Sequence, residues 1–441
     1  MNGFVLAGTG SGIGKTTLSM GLMSSFENVS PFKVGPDYID PSFHKFVTGN
    51  PSYNLDLYLM GEKGVEYSFK RHCGPMNIVE GVMGLYDGLG NTLDNYSTGH
   101  LARVLNLPVI LVVDCKGKST SVAAEVLGYK SLDPRVNIVG VIINRVSSEK
   151  LYSILKEAIE KYAHIPCVGY LKKDEKLGIS SRHLGLLQAD EVDDLYGKLE
   201  ILKSEIKKTI DFKKIKELTK IEILDKKDIF LELKDKYKGL KIGVAKDRAF
   251  SFYYQDNIEL LEKMGIEIVE FSPLNDKEIP KVDILYFGGG YPENYLEQLS
   301  ENTSFMESLK KFHNEDGYIY GECGGFMYLS SGIKNLQNEA YKMASLLNCS
   351  VKMTEKLNIG RFGYVTLKKD NFIGTAHEFH YSKIDDEGTD ERVFKVEKLD
   401  GRNWLCGYKN RNLLAGYPHI HFFKNLNIIE EMLEGVKKCH I

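Results

Sequence analysis

Gly8-Thr9-Gly10-Ser11-Gly12-Ile13-Gly14-Lys15-Thr16-Thr17 follows the apolar run GFVLAG of residues 3–8. A strand that opens into a glycine-rich turn and then into Lys-Thr-Thr has the layout of a phosphate-binding loop. Its glycines let backbone N–H groups turn inward and approach phosphate oxygens closely. The helix that starts at Lys15 adds the partial positive charge of its N-terminus. Gly10, Gly12, Gly14 and Thr17 then cradle a nucleotide, Lys15 reaches its β- and γ-phosphates, and the Thr16 hydroxyl is placed to ligate Mg2+. The strict G-x-x-x-x-G-K-[ST] spacing is missed by one residue, because Thr9 stands at the first glycine position and Gly8 precedes it. The plainer alternative is a glycine-rich connector that happens to precede Lys-Thr; the strand–loop–helix context weighs against it.

Outward from this loop, Leu18, Leu22 and Phe26 recur at helical spacing over residues 15–26. Apolar runs follow at 77–79, 108–113, 136–143 and 165–171, with helix-like segments such as 149–163 between them. Strands without polar alternation that alternate with helices indicate a parallel sheet covered on both faces. A second series begins near residue 240, with strands expected at 240–245, 266–271, 282–287 and 318–321 and helices at 252–264 and 326–330. Residues 198–241 hold fourteen Lys against nine Asp and Glu, with no Pro and with Gly239 as the single Gly. Interleaved acids argue for a solvated helical connector rather than a polyanion-binding strip. The expected organisation is therefore α/β with two doubly wound domains, 1–197 and 240–441, joined by a connector at 198–239.

Composition narrows the function classes. The chain has 441 residues, 43% of them hydrophobic and 27% charged, as in globular proteins. Fifty-seven Lys and Arg against sixty Asp and Glu give a formal net charge of −3, so no basic excess points to nucleic acid. Seven scattered cysteines without a C-x-x-C pair fit neither a disulfide framework nor a zinc ribbon. No apolar run approaches the roughly twenty residues of a membrane helix, and the N-terminus reads as a buried strand rather than a signal peptide. The expected address is the cytoplasm, without a membrane partner.

Three acidic patches narrow the loop's chemistry. Asp37, Tyr38 and Asp40 lie in GPDYIDP after a strand-like FKV, Glu80 and Asp87 in EGVMGLYDG after NIV, and Asp114 closes PVILVVD. Carboxylates at the ends of parallel strands face the crevice that holds the phosphate loop. Hard oxygens there suit Mg2+, with Thr16, Asp37 and Glu80 as its candidate ligands.

The second half contains one cysteine of a different kind. Cys323 sits in GECGG, where a strand, a sharp turn and a helix meet between small residues. This is the nucleophile-elbow layout with a thiol in place of the hydroxyl. The helix start is expected to lower the thiol pKa, and the Gly324 N–H to stabilise an oxyanion. Further donors are expected from the loop containing Gly289 and Gly290. A base is offered by His419 and His421 in YPHIHF, which share a face if that segment is extended. His377 and His380, in HEFHYS, form another pair that lacks metal-site spacing and reads as a ligand contact or as structure.

Together, GGGYPE (288–293), GECGGFMYL (321–329) and YPHIHF (417–422) resemble a class I-type glutamine amidotransferase domain of the cobyrinic-acid subgroup. GTGSGIGKTT (8–17), KVGPDYIDP (33–41) and VEGVMGLYDG (79–88) are similar to the synthetase domain of that subgroup, which is related to dethiobiotin synthetases; HEFHYS (377–382) is also family-like. The resemblance implies a flavodoxin-like C-terminal domain in which Cys323, activated by His419, releases ammonia from glutamine. It implies an N-terminal domain that uses ATP and Mg2+ to phosphorylate a carboxylate of a tetrapyrrole such as cobyrinic acid, which ammonia then amidates at the a and c side chains. Asp37, Asp40, Glu80 and Asp87 match the acidic positions of that site, with Tyr38 beside the substrate. Asn144 matches an adenine-reading asparagine or is a strand-end turn residue. The partners implied are glutamine and the tetrapyrrole polycarboxylate, with a homodimer as the self-association to test for. The same machinery acting on nickel-sirohydrochlorin is one rival reading. The other is a partition-type switch carrying an inactive amidotransferase-like module, which an intact Cys323 disfavours.

Overall fold

A computed structural model describes residues 1–173, 195–222 and 227–439. The chain divides into two α/β units, Met1–Asp228 and Ile229–Ile441. In the first, β1 (Asn2–Gly8), β2 (Val29–Val34), β3 (Tyr53–Leu55), β4 (Met76–Glu80), β5 (Val109–Asp114), β6 (Ile138–Val146) and β7 (Cys167–Lys172) form one sheet. Its order is β3-β2-β4-β1-β5-β6-β7 and every pairing is parallel. Residues 3–8 of β1 and 109–113 of β5 are all buried. Burial on both faces is why these strands carry continuous apolar runs. Parallel pairing points all carboxyl ends at one edge. There β1 runs between β4 and β5, so the loop after Gly8 opens beside Glu80 and Asp114.

The lysine-rich stretch is helical and packs on the first unit. Its helices Leu195–Thr209 and Phe212–Leu218 bury Leu195, Leu202, Ile206 and Ile215 in the cluster that holds Leu18, Leu22, Ile110 and Val112. Ile206 lies so close to the helix Lys15–Ser25 that a Cβ on Gly21 would come within 2.2 Å of its Cδ1. The carbonyl of Thr219 accepts a bond from the Gly3 N–H at 2.9 Å. Lysines occupy the solvent side, as in the Lys208–Glu205 pair, while the apolar stripe faces the core. Residues 223–226 of this stretch lie outside the described residues.

In the second unit β8 (Lys241–Ala245), β9 (Glu267–Phe271), β10 (Ile284–Phe287) and β11 (Tyr318–Glu322) belong to a ten-stranded sheet. The order β9-β8-β10-β11 continues into Leu413–Gly416, and these five strands are parallel. Beyond them Asn403–Asn410, Glu391–Glu397, Gly363–Lys369, Phe372–Glu378 and His419–Ile420 extend the sheet by antiparallel pairing. A separate four-stranded sheet joins residues from 332 to 386. Among the described residues no helix is long and apolar enough to cross a membrane.

Removing the Ile206 side chain tests whether the lysine-rich helix is part of the core. Ile206 is fully buried, so Ile206→Ala should cost about 2–5 kcal/mol in urea unfolding of the full chain. A change within about 0.5 kcal/mol, typical of surface sites, would make the helix peripheral.

Candidate functional site

The phosphate loop leaves β1 at Gly8 and enters the helix Lys15–Ser25 through Gly14, whose φ of 91° suits glycine. A Cβ on Gly14 would meet the Asn144 side chain at 2.3 Å, whereas nothing lies within 4 Å of such an atom on Gly10 or Gly12. One side of the loop is therefore braced and part of the other is open. Asn144 Nδ2 donates to the Ile13 carbonyl at 2.6 Å and its Oδ1 accepts from the Arg145 N–H at 2.8 Å. Both ends of this amide act on backbone. Asp114 forms an ion pair with Arg145, whose other guanidinium nitrogen donates to the Gly12 carbonyl at 2.6 Å. Asp114 thus braces the loop through Arg145.

Lys15 Nζ donates to the carbonyls of Gly10 and Met83. Burial, with the Lys33 charge nearby, lowers its pKa to about 8. The Thr16 hydroxyl donates to Glu80 Oε1 at 2.7 Å. Glu80 is fully buried at the end of β4 and takes two more donors. Lys33 Nζ, from β2, reaches Oε1 at 3.1 Å and His44 Nε2 reaches Oε2 at 2.7 Å. The His44 Nδ1 pairs with Ser52 Oγ at 3.0 Å. Burial works against the Glu80 charge, yet Lys33 and the His44 and Thr16 bonds hold its carboxyl well below the usual range. Lys33 also pairs with Asp40 at 2.6 Å. Asp37 Oδ1 accepts from the N–H groups of Ile39 and Asp40 at 2.8 and 3.0 Å, next to the half-buried Tyr38. Asp87 is exposed, and its Oδ2 accepts from the Gly84 N–H at 2.8 Å.

Of the acidic residues singled out in the sequence, Glu80 touches Thr16, and Asp40 joins it through Lys33; Asp37 and Asp87 hold their own turns. Lys33 and His44 were not singled out. A lysine within the apolar run Phe32-Lys33-Val34 was the available signal. No group of three His, Cys, Asp or Glu placed to hold a metal occurs among the described residues. Mg2+ commonly needs only one or two carboxylates beside substrate phosphates, and the hard oxygens of Thr16 and Glu80, already in contact, fit that demand.

In the second unit β11 ends at Glu322 and the helix Gly324–Leu329 follows at once. Cys323, between them, has φ 48° and ψ −102°, a conformation that costs of order 1–3 kcal/mol for a residue with a side chain. Its N–H donates to the Gly416 carbonyl at 2.7 Å and its carbonyl accepts from Met327 at 2.9 Å. The Cys323 thiol donates to the Phe379 carbonyl at 3.6 Å. The Gly288–Gly290 loop packs against this turn. A Cβ on Gly324 would stand 3.0 Å from the Gly290 nitrogen, and one on Gly290, where φ is 154°, would strike the Ala249 carbonyl.

His419 lies over the same loop, since a Cβ on Gly289 would meet its Cε1 at 2.3 Å. It pairs in register with His377 of the neighbouring strand, two residues before Phe379. Burial, with His377 and His380 close by, lowers the His419 pKa to about 3. The thiol shifts the other way. Burial and then the Glu293 carboxylate raise the Cys323 pKa, against the lowering expected from a helix start. The helix has only six residues, and desolvation of a buried thiolate outweighs its small dipole. Thiol and imidazole are both neutral in this state.

The two histidines of YPHIHF lie by different carboxylates. The strand is only His419–Ile420, and His421 begins a turn into the 3-10 helix Phe422–Lys424, where its Nδ1 accepts from the Phe423 N–H and its Nε2 lies 4.0 Å from Asp256. His380 bonds the Ser382 carbonyl at 2.8 Å and stacks on Tyr417. Glu322, which the sequence reading passed over, lies 3.9 Å from His419 Nδ1. It also accepts from the Tyr320 and Tyr286 hydroxyls and the Ile420 N–H, and burial raises its pKa to about 7. Its partner His419 is distant in the chain, so its position next to Cys323 carried no signal of that pairing.

Residues 4–187 match the model of the CobQ/CobB/MinD/ParA nucleotide binding domain, and residues 241–426 that of the CobB/CobQ-like glutamine amidotransferase domain. A cobyrinate a,c-diamide synthase from Fusobacterium nucleatum is 56% identical over 98% of this chain and 100% of its own length. Relatives of the same name from Clostridium tetani and Caldanaerobacter subterraneus are 44% and 42% identical, over 98% and 99% of this chain and 100% and 97% of theirs. With a nucleotide-binding loop in one unit and an elbow cysteine and a buried histidine on either side of one glycine loop in the other, the chain belongs to the cobyrinate a,c-diamide synthase family of ATP-dependent, glutamine-hydrolysing ligases.

Proposed function

We propose that Cys323 and His419 release ammonia from glutamine, and that the phosphate-loop unit activates the a and c carboxylates of cobyrinic acid with ATP so that ammonia can replace an oxygen. The observation that carries this reading is the Cys323 elbow, with His419 and the Gly289–Gly290 backbone gathered around it. His419, neutral through burial, takes the thiol proton as Sγ attacks the side-chain amide carbon of glutamine. The oxyanion meets the backbone N–H groups of Gly324, Gly289 and Gly290. Collapse expels ammonia, protonated from His419, and leaves a thioester that water hydrolyses to glutamate. Glu322 steadies the imidazolium formed in between.

In the first unit a tetrapyrrole carboxylate oxygen attacks the γ-phosphorus of ATP, and ADP leaves. Ammonia then attacks the acyl carbon, phosphate departs and the nitrogen loses a proton. Activation is needed because a carboxylate at neutral pH is a poor electrophile. Lys15 and the loop N–H groups offset charge on the transferred phosphoryl group. Thr16 and Glu80, with Asp37, would hold Mg2+, which neutralises phosphate charge when bound. Asn144 and Arg145 keep the loop open toward the nucleotide, while Asp40, Asp87 and Tyr38 position the tetrapyrrole.

In Cys323→Ala, glutamine-dependent amidation should fall by roughly 10³-fold or more, while ammonium salts still support ATP-dependent product formation. Retained glutamine use would remove the nucleophile assignment. Lys15→Ala should lower turnover with either nitrogen source by at least about a hundredfold, and normal turnover with ammonia would show that the loop is misassigned. Gly289→Ala drives a methyl group into the His419 ring and should cut glutamine hydrolysis by roughly a hundredfold. Mass spectrometry of cobyrinic acid incubated with glutamine and ATP·Mg2+ reads all three through the mono- and diamide products.

A further inference from the structure

The Gly288–Gly290 loop runs through Tyr291 into the short 3-10 helix Pro292–Tyr295, which carries Glu293. Pro292 touches the elbow, because a Cβ on Gly324 would lie 2.9 Å from its Cδ. Glu293 and Cys323 are thus each one residue away from the same contact. The Glu293 Oε2 is buried and has no hydrogen-bond partner among the described residues. A buried carboxylate is costly unless a cation or several donors meet it, and an orphaned buried oxygen calls for a specific explanation. Burial raises the Glu293 pKa to about 7, and among charged groups it acts most strongly on the Cys323 thiol.

Glutamine has the complement of this feature. Its amide must reach the sulfur, and a few bonds away it carries an α-ammonium that loses its water on entering a closed pocket. We propose that Glu293 binds the α-ammonium group of glutamine and so selects an α-amino acid amide over other primary amides. A role as the base for Cys323 is disfavoured, because a carboxylate beside a thiol opposes thiolate formation and His419 already lies over the same loop. Neutralising Glu293 has a second consequence for the thiol. In the empty site burial and then the Glu293 charge raise the thiol pKa, and a bound ammonium cancels the second contribution, which eases loss of the proton to His419. The inference rests on the assignment of Cys323 as the glutaminase nucleophile and adds the group that recognises the other end of the substrate.

The test compares L-glutamine with glutaramate, the same molecule lacking the α-amino group. The readout is kcat/KM for ammonia release or, where turnover is too slow, Ki against glutamine. The wild-type protein should favour glutamine by about a hundredfold, the loss expected when one partner of a buried charge pair is missing. In Glu293→Gln the preference should shrink to within about threefold, chiefly through a higher KM for glutamine. Glu293→Asp should retain part of it, and thermal unfolding of each variant checks the fold. Wild-type enzyme that treats both amides alike would overturn the proposal without any variant. So would Glu293→Gln with its preference intact, or with both substrates weakened equally. Wild-type enzyme that hydrolyses neither amide would instead overturn the assignment of Cys323.

Discussion

A carboxylate with no exposed surface stands at the end of β4, and Glu80 persists there because three donors converge on it. Removing an ionised group from water costs several kcal/mol unless its partners are well placed. Those partners come from the first helix, from β2 and from the helix Ile39–Thr48, so none can be supplied until the strands are in register. The pairings Leu6–Glu80 and Lys33–Glu80 bring β1, β2 and β4, which carry these elements, to one level. The phosphate loop therefore inherits its position from a buried charge cluster, with Thr16 as the link between them.

The second unit uses burial in the opposite sense. Around Glu80, desolvation is overcome and charge is kept. Around Cys323 and His419, desolvation prevails and both groups are neutral. A neutral imidazole is able to accept a proton, and a protonated thiol is protected from idle chemistry. Backbone strain at Cys323 is held by the bonds to Gly416 and Met327 on either side. The mixed sheet supplies what a purely parallel one would lack. Its parallel half presents the elbow, and its antiparallel half brings His377 and Phe379 alongside His419 and the thiol.

Glycine serves this packing mainly by being small. Gly21 admits Ile206 between two helices, and Gly289 admits the His419 ring. In both cases a methyl group would occupy space already filled by a neighbour distant in sequence. The lysine-rich helix shows the same dependence: its charges are local and visible, whereas the surface it covers is assembled from β1, β5 and the first helix.

Local order determined what could be read without coordinates. The phosphate loop, the elbow at Cys323, the parallel sheet of the first unit and the parallel half of the second follow from residues adjacent in the chain, whose spacing dictates turn, helix or strand. His421 keeps an extended backbone yet caps the turn into Phe422–Lys424, and its ring lies by Asp256 while that of His419 lies by Glu322, neighbours that only folding supplies. Lys33, His44, Glu322 and Glu293 gain their meaning from groups brought to them by folding, as does the direction of the Cys323 pKa. Sequence determines which chemical groups are available and which local shapes they favour. Tertiary structure decides which of them lose water together, and in a medium of low dielectric that sets which charges survive and which are extinguished.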